Sequence, residues 1–101
     1  MPSAIVHPPE INAAISEIVG QLAPDVVHIR YEVGRDWSGD DAIFFRVVLS
    51  DEASRLRLRA VTSEVVRKLE EKVDFSSLGL LAYHNFRSAS EQAAMREEAW
   101  A

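Results

Sequence analysis

The densest group of side chains that could do chemistry is the loop Asp36-Trp37-Ser38-Gly39-Asp40-Asp41. Its three carboxylates could hold a hard divalent cation through oxygen ligands. The spacing, however, lacks the alternating acceptors and the distant bidentate glutamate of an EF-hand loop. Aspartate and glycine are also the residues that a tight turn uses for its geometry. The sequence therefore predicts a turn here, with no metal and no other cofactor.

Asp40 and Asp41 also raise the alternative of a nucleotidyltransferase-like domain. That chemistry needs a Gly-Ser turn to hold phosphates and two aspartates on the following strand to hold metal. Here Gly34 is followed by Arg35. Neighbouring residues of a strand point to opposite faces, so one site could not easily use both carboxylates. We therefore assign no catalytic residue, although a degenerate relative of that fold stays open as an alternative.

Two histidines, His28 and His84, fall on predicted strands. Histidines on neighbouring strands can bind a metal or act as a base. Nothing near either residue supplies a third ligand, so we interpret both as strand residues without a chemical role. A nucleophilic serine is not indicated either, because the chain has no Gly-x-Ser-x-Gly elbow.

A set of basic and aromatic side chains forms the candidate binding surface: Arg35, Trp37, Arg46, Arg55, Arg57 and Arg59. Such residues suit RNA, and a KH-like RNA-binding module is an alternative function. A KH module needs a Gly-x-x-Gly loop between helices, and the sequence has none. The net charge of −5, from 16 acidic and 11 basic residues, also repels phosphate backbones. Nucleic-acid binding is therefore possible but disfavoured.

Hydrophobic periodicity predicts one α+β domain over residues 1–101, in the order helix–strand–strand–helix–strand. We expect a three-stranded sheet with helices on one face and a short C-terminal helix. Apolar residues lie on both faces of 42–49, which indicates a central strand. Residues 1–9 are predicted to be an extended leader, and 89–101 a C-terminal helix or tail. The other segments predicted are helices over 10–22 and 51–73, and strands over 27–33 and 78–87.

Composition limits the class of protein further. The chain has no cysteine, which excludes disulfides and thiol nucleophiles. The first residues lack the basic region of a signal peptide, and no apolar run approaches the roughly 18 residues of a membrane span. We expect a cytoplasmic protein without a membrane partner.

The second face of the predicted sheet needs a cover. Two helices can cover only one face, yet strand 42–49 also offers apolar side chains to the other. Either the C-terminal segment folds back over that face or a second chain covers it. We favour a homodimer formed through this face or a free strand edge, with the tail assisting. The residues expected at the interface are Phe44, Val48, Phe86, Met95 and Trp100.

Three stretches resemble short bacterial proteins of unassigned function that look like partners of HEPN-type toxin or nuclease-like proteins. These stretches are residues 36–40 running into 42–49, then 86–88, and 90–100. The resemblance implies a protein partner and an antitoxin-like regulatory role, and it carries no catalytic motif. Together with the incomplete catalytic patterns, it predicts a small non-catalytic protein-binding domain.

Overall fold

Residues 9–101 are described by a computed structural model, so residues 1–8 of the predicted leader over 1–9 lie outside the described residues, and Pro9 already belongs to the first helix. The elements are α1 (Pro9–Leu22), β1 (Val26–Arg35), β2 (Asp41–Leu49), α2 (Asp51–Leu56), α3 (Leu58–Lys72), β3 (Leu81–Ser88), α4 (Ala89–Met95) and a 3₁₀ turn (Glu98–Trp100). The predicted α+β class and element order are confirmed. Within 9–101, no helix has both the length and the apolarity that a membrane crossing requires.

The three strands form one mixed sheet in the order β1-β2-β3. β1 pairs antiparallel with β2, and β2 pairs parallel with β3. A parallel neighbour requires a crossover connection, which α2 and α3 supply here. β2 is therefore central, as its apolar residues on both faces predict.

The core lies between one face of the sheet and the helices. Ile43, Phe45, Val47 and Leu49 alternate along β2 on this helix-facing side, and none of them is exposed to solvent. α1 and α3 bury one stripe each against them, at the helical spacing expected for amphipathic helices. The buried residues of the two stripes are Ile11, Ala14, Ile18, Val61, Val65 and Leu69.

The predicted helix over 51–73 is interrupted at Arg57. Ser50 caps the first part by accepting a hydrogen bond from the Ala53 N–H. Arg57 then forms a bidentate pair with Asp25, at 2.7 and 3.1 Å, from the chain segment before β1. This tertiary contact lies at the break, within residues 55–59, whose alternating arginine and leucine are also typical of a strand.

Two boundaries near the C-terminal end differ from the predicted ones. β3 begins at Leu81 instead of residue 78, because hydrogen-bonded turns occupy 75–80 and Gly79 adopts a φ of +72°. Ser88-Ala89-Ser90-Glu91 has the sequence pattern of a capping box, and the box is present, with Ser88 as N-cap and the Glu91 side chain accepting from the Ser88 N–H. The helix that it starts ends at Met95 and so occupies only the first part of the predicted C-terminal segment 89–101.

Candidate functional site

The C-terminal segment folds back over half of the second sheet face. Trp100 is 8% exposed, and its carbonyl accepts a 2.6 Å hydrogen bond from His28 Nε2. The Arg87 guanidinium lies 4.1 Å from the centre of the Trp100 ring, a cation–π contact. Val48 sits between His28 and Arg87 in the sheet and is 2% exposed. This half of the face is therefore closed by the chain itself.

Polar contacts hold this tail in place. Arg87 pairs with Glu97 at 2.6 Å, and Arg30 donates to the carbonyl oxygen of Ala101 at 2.9 Å. Met95, expected as a second apolar anchor, is 56% exposed and does not share this cover. The reason is geometric: Arg96 adopts a left-handed conformation with φ 55°, which ends α4 and turns the chain before Trp100.

The other half of the same face carries an aromatic patch, which we define as Trp37, Phe44 and Tyr83. The Phe44 and Tyr83 rings stack with centroids 5.4 Å apart and planes at 14°. The Trp37 ring meets Tyr83 at 5.4 Å and 54°. Trp37 is 83% exposed, although tryptophan is highly buried on average. Leu81, 48% exposed, extends the apolar surface along β3.

The turn that carries Trp37 is held from within by the Asp36 carboxylate. Asp36 Oδ1 accepts from the backbone N–H groups of Ser38 at 2.9 Å and Asp40 at 3.0 Å. Its Oδ2 accepts from the Tyr83 hydroxyl at 2.7 Å. Gly39 has a φ of +84°, which favours glycine. The predicted turn thus fixes the backbone on both sides of Trp37 and ties it to β3.

These bonds change the titration of both partners. The Tyr83 hydroxyl, and then the backbone donors of the turn, lower the pKa of Asp36 below its usual 3.8. The same carboxylate raises the pKa of the Tyr83 hydroxyl above its usual 10.0. At neutral pH the hydrogen bond therefore joins an ionised carboxylate to a neutral phenol, a charge-assisted arrangement.

We expect the stabilisation from Asp36 to be lost in acid. A carboxyl whose pKa is lower in the folded state stabilises the fold fully above its unfolded pKa, here 3.8, and less as the pH falls through the folded pKa. Urea titrations of wild type and Asp36→Asn should therefore give a difference in unfolding free energy that is largest near neutral pH. That difference should shrink as the pH falls below 3.8 and through the lowered pKa of Asp36, because the wild-type carboxyl then becomes protonated. A pH-independent difference would contradict this; Asp40→Asn, which leaves these bonds intact, is the control.

The structure does not bring the predicted arginines together. Arg46 lies on the second sheet face, two residues from Phe44, and pairs with Glu32 at 3.0 Å. Arg35 ends β1 and lies 3.7 Å from Asp41. These two arginines flank the aromatic patch but are matched by carboxylates.

The remaining three arginines lie in the α2–α3 region, away from Trp37. Arg57 is bound by Asp25 and by Glu52, at 2.7 and 3.7 Å. Arg55 and Arg59 are exposed and form no salt bridge within residues 9–101. The six predicted side chains therefore form no single basic surface in the described structure.

The histidines lie on opposite faces of the sheet. His28 binds the tail, whereas His84 faces the helices, with its ring stacked on Phe45 at 5.5 Å. Burial lowers the pKa of His84, which favours the neutral imidazole. Within residues 9–101, no group of three His, Asp or Glu side chains is arranged to hold a metal ion.

Phe86 lies on the helix-facing side against the core, so it does not join Phe44 and Val48 on the second face. Sequence reasoning also missed the Asp36–Tyr83 bond, because the two residues are 47 positions apart and no local pattern links them. No protein-family model matches this chain, and neither the curated proteins nor the solved structures include a significant match to it.

Proposed function

We propose that this chain is a small non-catalytic protein-binding domain and that the aromatic patch recognises its partner. The observation that carries the proposal is Trp37, 83% exposed on a turn that the Asp36 carboxylate holds. Binding energy concentrates in such aromatic anchors, which bury a large area with few rotatable bonds. A turn fixed before binding reduces the entropy that association costs.

Charge defines the chemistry of the partner. Beside the patch, Arg46 offsets Glu32 and Arg35 offsets Asp41, whereas Asp40 on the Trp37 turn is exposed and forms no salt bridge within residues 9–101. The whole chain carries a net charge of −5. Complementary electrostatic potentials speed the encounter of two proteins and disfavour the binding of partners with unsuitable charge. The partner that fits this surface therefore has an apolar pocket for Trp37, bordered by basic side chains.

An antitoxin-like role agrees with that chemistry. The resemblance to partners of HEPN-type proteins makes a nuclease-like toxin the first partner class to test. A surface that binds nucleic acid is basic, because it must attract phosphates. An acidic domain with an exposed aromatic anchor could occupy such a surface and block access of RNA.

Trp37→Ala is expected to weaken partner binding by about 30-fold or more, since a hot-spot tryptophan contributes about 2 kcal/mol or more. The partner is first identified by co-purification with the untagged protein from its native host. Isothermal titration then compares wild type, Trp37→Ala and Leu56→Ala. Leu56 is a matched control because it is 60% exposed but lies on α2.

The control variant should bind within about twofold of wild type, as neutral surface positions do. Both variants should unfold at the same urea concentration as wild type, because neither residue is buried. Equal affinity of Trp37→Ala and wild type for the co-purified protein would refute the proposed role of the patch.

RNA binding is the second class of function, but the contacts give it less support. Three of the five predicted arginines already bind carboxylates, and the two that flank the aromatic patch are among them. An RNA-binding function predicts that the chain associates with RNA in a salt-sensitive way. It also predicts that the triple variant Arg55→Ala, Arg57→Ala, Arg59→Ala abolishes this association. That result would favour RNA over a protein partner.

A further inference from the structure

The two edges of the sheet differ in how open they are to another strand. β1 has a register shift between Val26 and His28, and it carries charged residues along its length. β3 pairs only with β2 and contains neither proline nor a register shift. Its one charged residue, Arg87, is already bound by Glu97. An open edge without these features is a template for a further strand.

A groove of about 650 Å³ runs between this edge and α3. One nitrogen in it, His84 Nε2, is buried without a hydrogen-bond partner in the described structure. A buried polar group left in this state is unfavourable, so an occupant that supplies a partner would be stabilised. The side chains that line the groove and would contact its occupant include Thr62, Ser63, Val66, Glu70, His84 and Phe86.

We propose that a second copy of this chain occupies this groove. In the dimer, β3 pairs antiparallel with β3 of the copy about a two-fold axis and forms a continuous six-stranded sheet. The two α3 helices then lie side by side on one face of that sheet and run antiparallel. Neighbouring strands are about 4.8 Å apart and packed helices about 8–10 Å apart, so each helix can fill the groove beside the other.

One face of α3 is complementary to the same face of the partner's α3 in that arrangement. Ser63, Val66 and Glu70 line the groove, and Arg59 lies on the same helical face one turn before Ser63, because the four residues are spaced by four, three and four. A two-fold axis near the middle of α3 sets Arg59 against Glu70 of the partner subunit, and Ser63 against Val66 of the partner subunit. Neither Arg59 nor Glu70 forms a salt bridge within residues 9–101. The dimer gives both charges a partner.

This dimer is independent of the proposed function. The aromatic patch lies on the opposite face of the sheet from α3, so pairing through β3 leaves Trp37 exposed on each subunit. A result that refutes the binding role of the aromatic patch therefore does not refute the dimer, and a result that refutes the dimer does not refute the role of the patch.

Charge reversal across the two-fold axis tests the interface. Sedimentation velocity between about 1 and 200 μM should show a monomer–dimer equilibrium for wild type. Arg59→Glu or Glu70→Arg should each weaken the dimer by about tenfold or more, since each creates two like-charge contacts. The double variant should recover the wild-type equilibrium. An equimolar mixture of the two single variants should form a heterodimer more stable than either homodimer.

Arg55→Glu is the matched control, because Arg55 is exposed on α2 and does not lie on the α3 face that meets the partner. Circular dichroism spectra of each variant, compared with that of wild type, test whether the variant is folded. A wild-type protein that stays monomeric throughout the range overturns the proposal, and so does a dimer that survives both single reversals. Loss of the dimer in Trp37→Ala would also overturn it by placing the interface on the other face.

Discussion

Phe45→Ala is expected to lower the free energy of unfolding by about 3–5 kcal/mol, the range for large-to-small substitutions in a packed core. Phe45 is fully buried at the centre of β2. Its ring centroid lies 6.1 Å from the ring centroid of Tyr31, 5.7 Å from that of Phe75 and 5.5 Å from that of His84. Removing the ring leaves a cavity. The surrounding strands and helices can fill it only if they shift toward one another.

Phe44→Ala is the matched control for this prediction. Phe44 is the preceding residue of the same strand, with the same side chain, but it lies half-buried on the second face. We expect its loss to cost about 1–2 kcal/mol, because part of the ring is already in water. Urea unfolding at one fixed protein concentration measures both variants. Equal costs, or a larger cost for Phe44, would mean that the two faces of β2 are exchanged.

Trp100→Ala has the second-largest expected effect, a loss of about 2–4 kcal/mol of unfolding free energy. The substitution removes an 8% exposed indole from the second face and the cation–π contact with Arg87. It also leaves Val48 open to water. The backbone bond to His28 depends on the same docking, so we expect increased hydrogen exchange throughout residues 97–101.

Met95→Ala is the control for the tail. Met95 is a large apolar side chain of the same segment, but it is 56% exposed, so its loss should cost less than about 0.5 kcal/mol. A cost below about 1 kcal/mol for Trp100→Ala would contradict the folded-back tail. The second face would then need its cover from another chain.

The local pattern of the sequence predicts the fold well where one strand or helix carries its own signal. The two-sided apolarity of β2 identifies the central strand, and Ser88 with Glu91 identifies the start of α4. The pattern fails where a distant contact sets the structure. Arg57 ends α2 beside a carboxylate 32 residues away, and no helical periodicity contains that information.

In the candidate site, too, local features can be predicted from the sequence, whereas distant contacts cannot. The composition of the loop around Trp37 predicts a turn and a candidate binding residue. The bond from Tyr83 to Asp36 joins residues 47 positions apart and depends on the parallel pairing of β2 and β3, which local sequence does not encode. Met95 and Trp100 share an apolar character, and the left-handed Arg96 between them separates their environments.

Trp37 fluorescence tests its role in partner binding most directly. The chain has two tryptophans, so Trp100→Phe leaves Trp37 as the single emitter and keeps an aromatic ring in the tail. In the free protein we expect the red-shifted emission of a tryptophan in water and efficient quenching by acrylamide. Saturation with the co-purified partner should shift the emission to the blue and protect it from acrylamide. An emission spectrum and a quenching constant that stay unchanged at saturation would show that Trp37 is not at the interface.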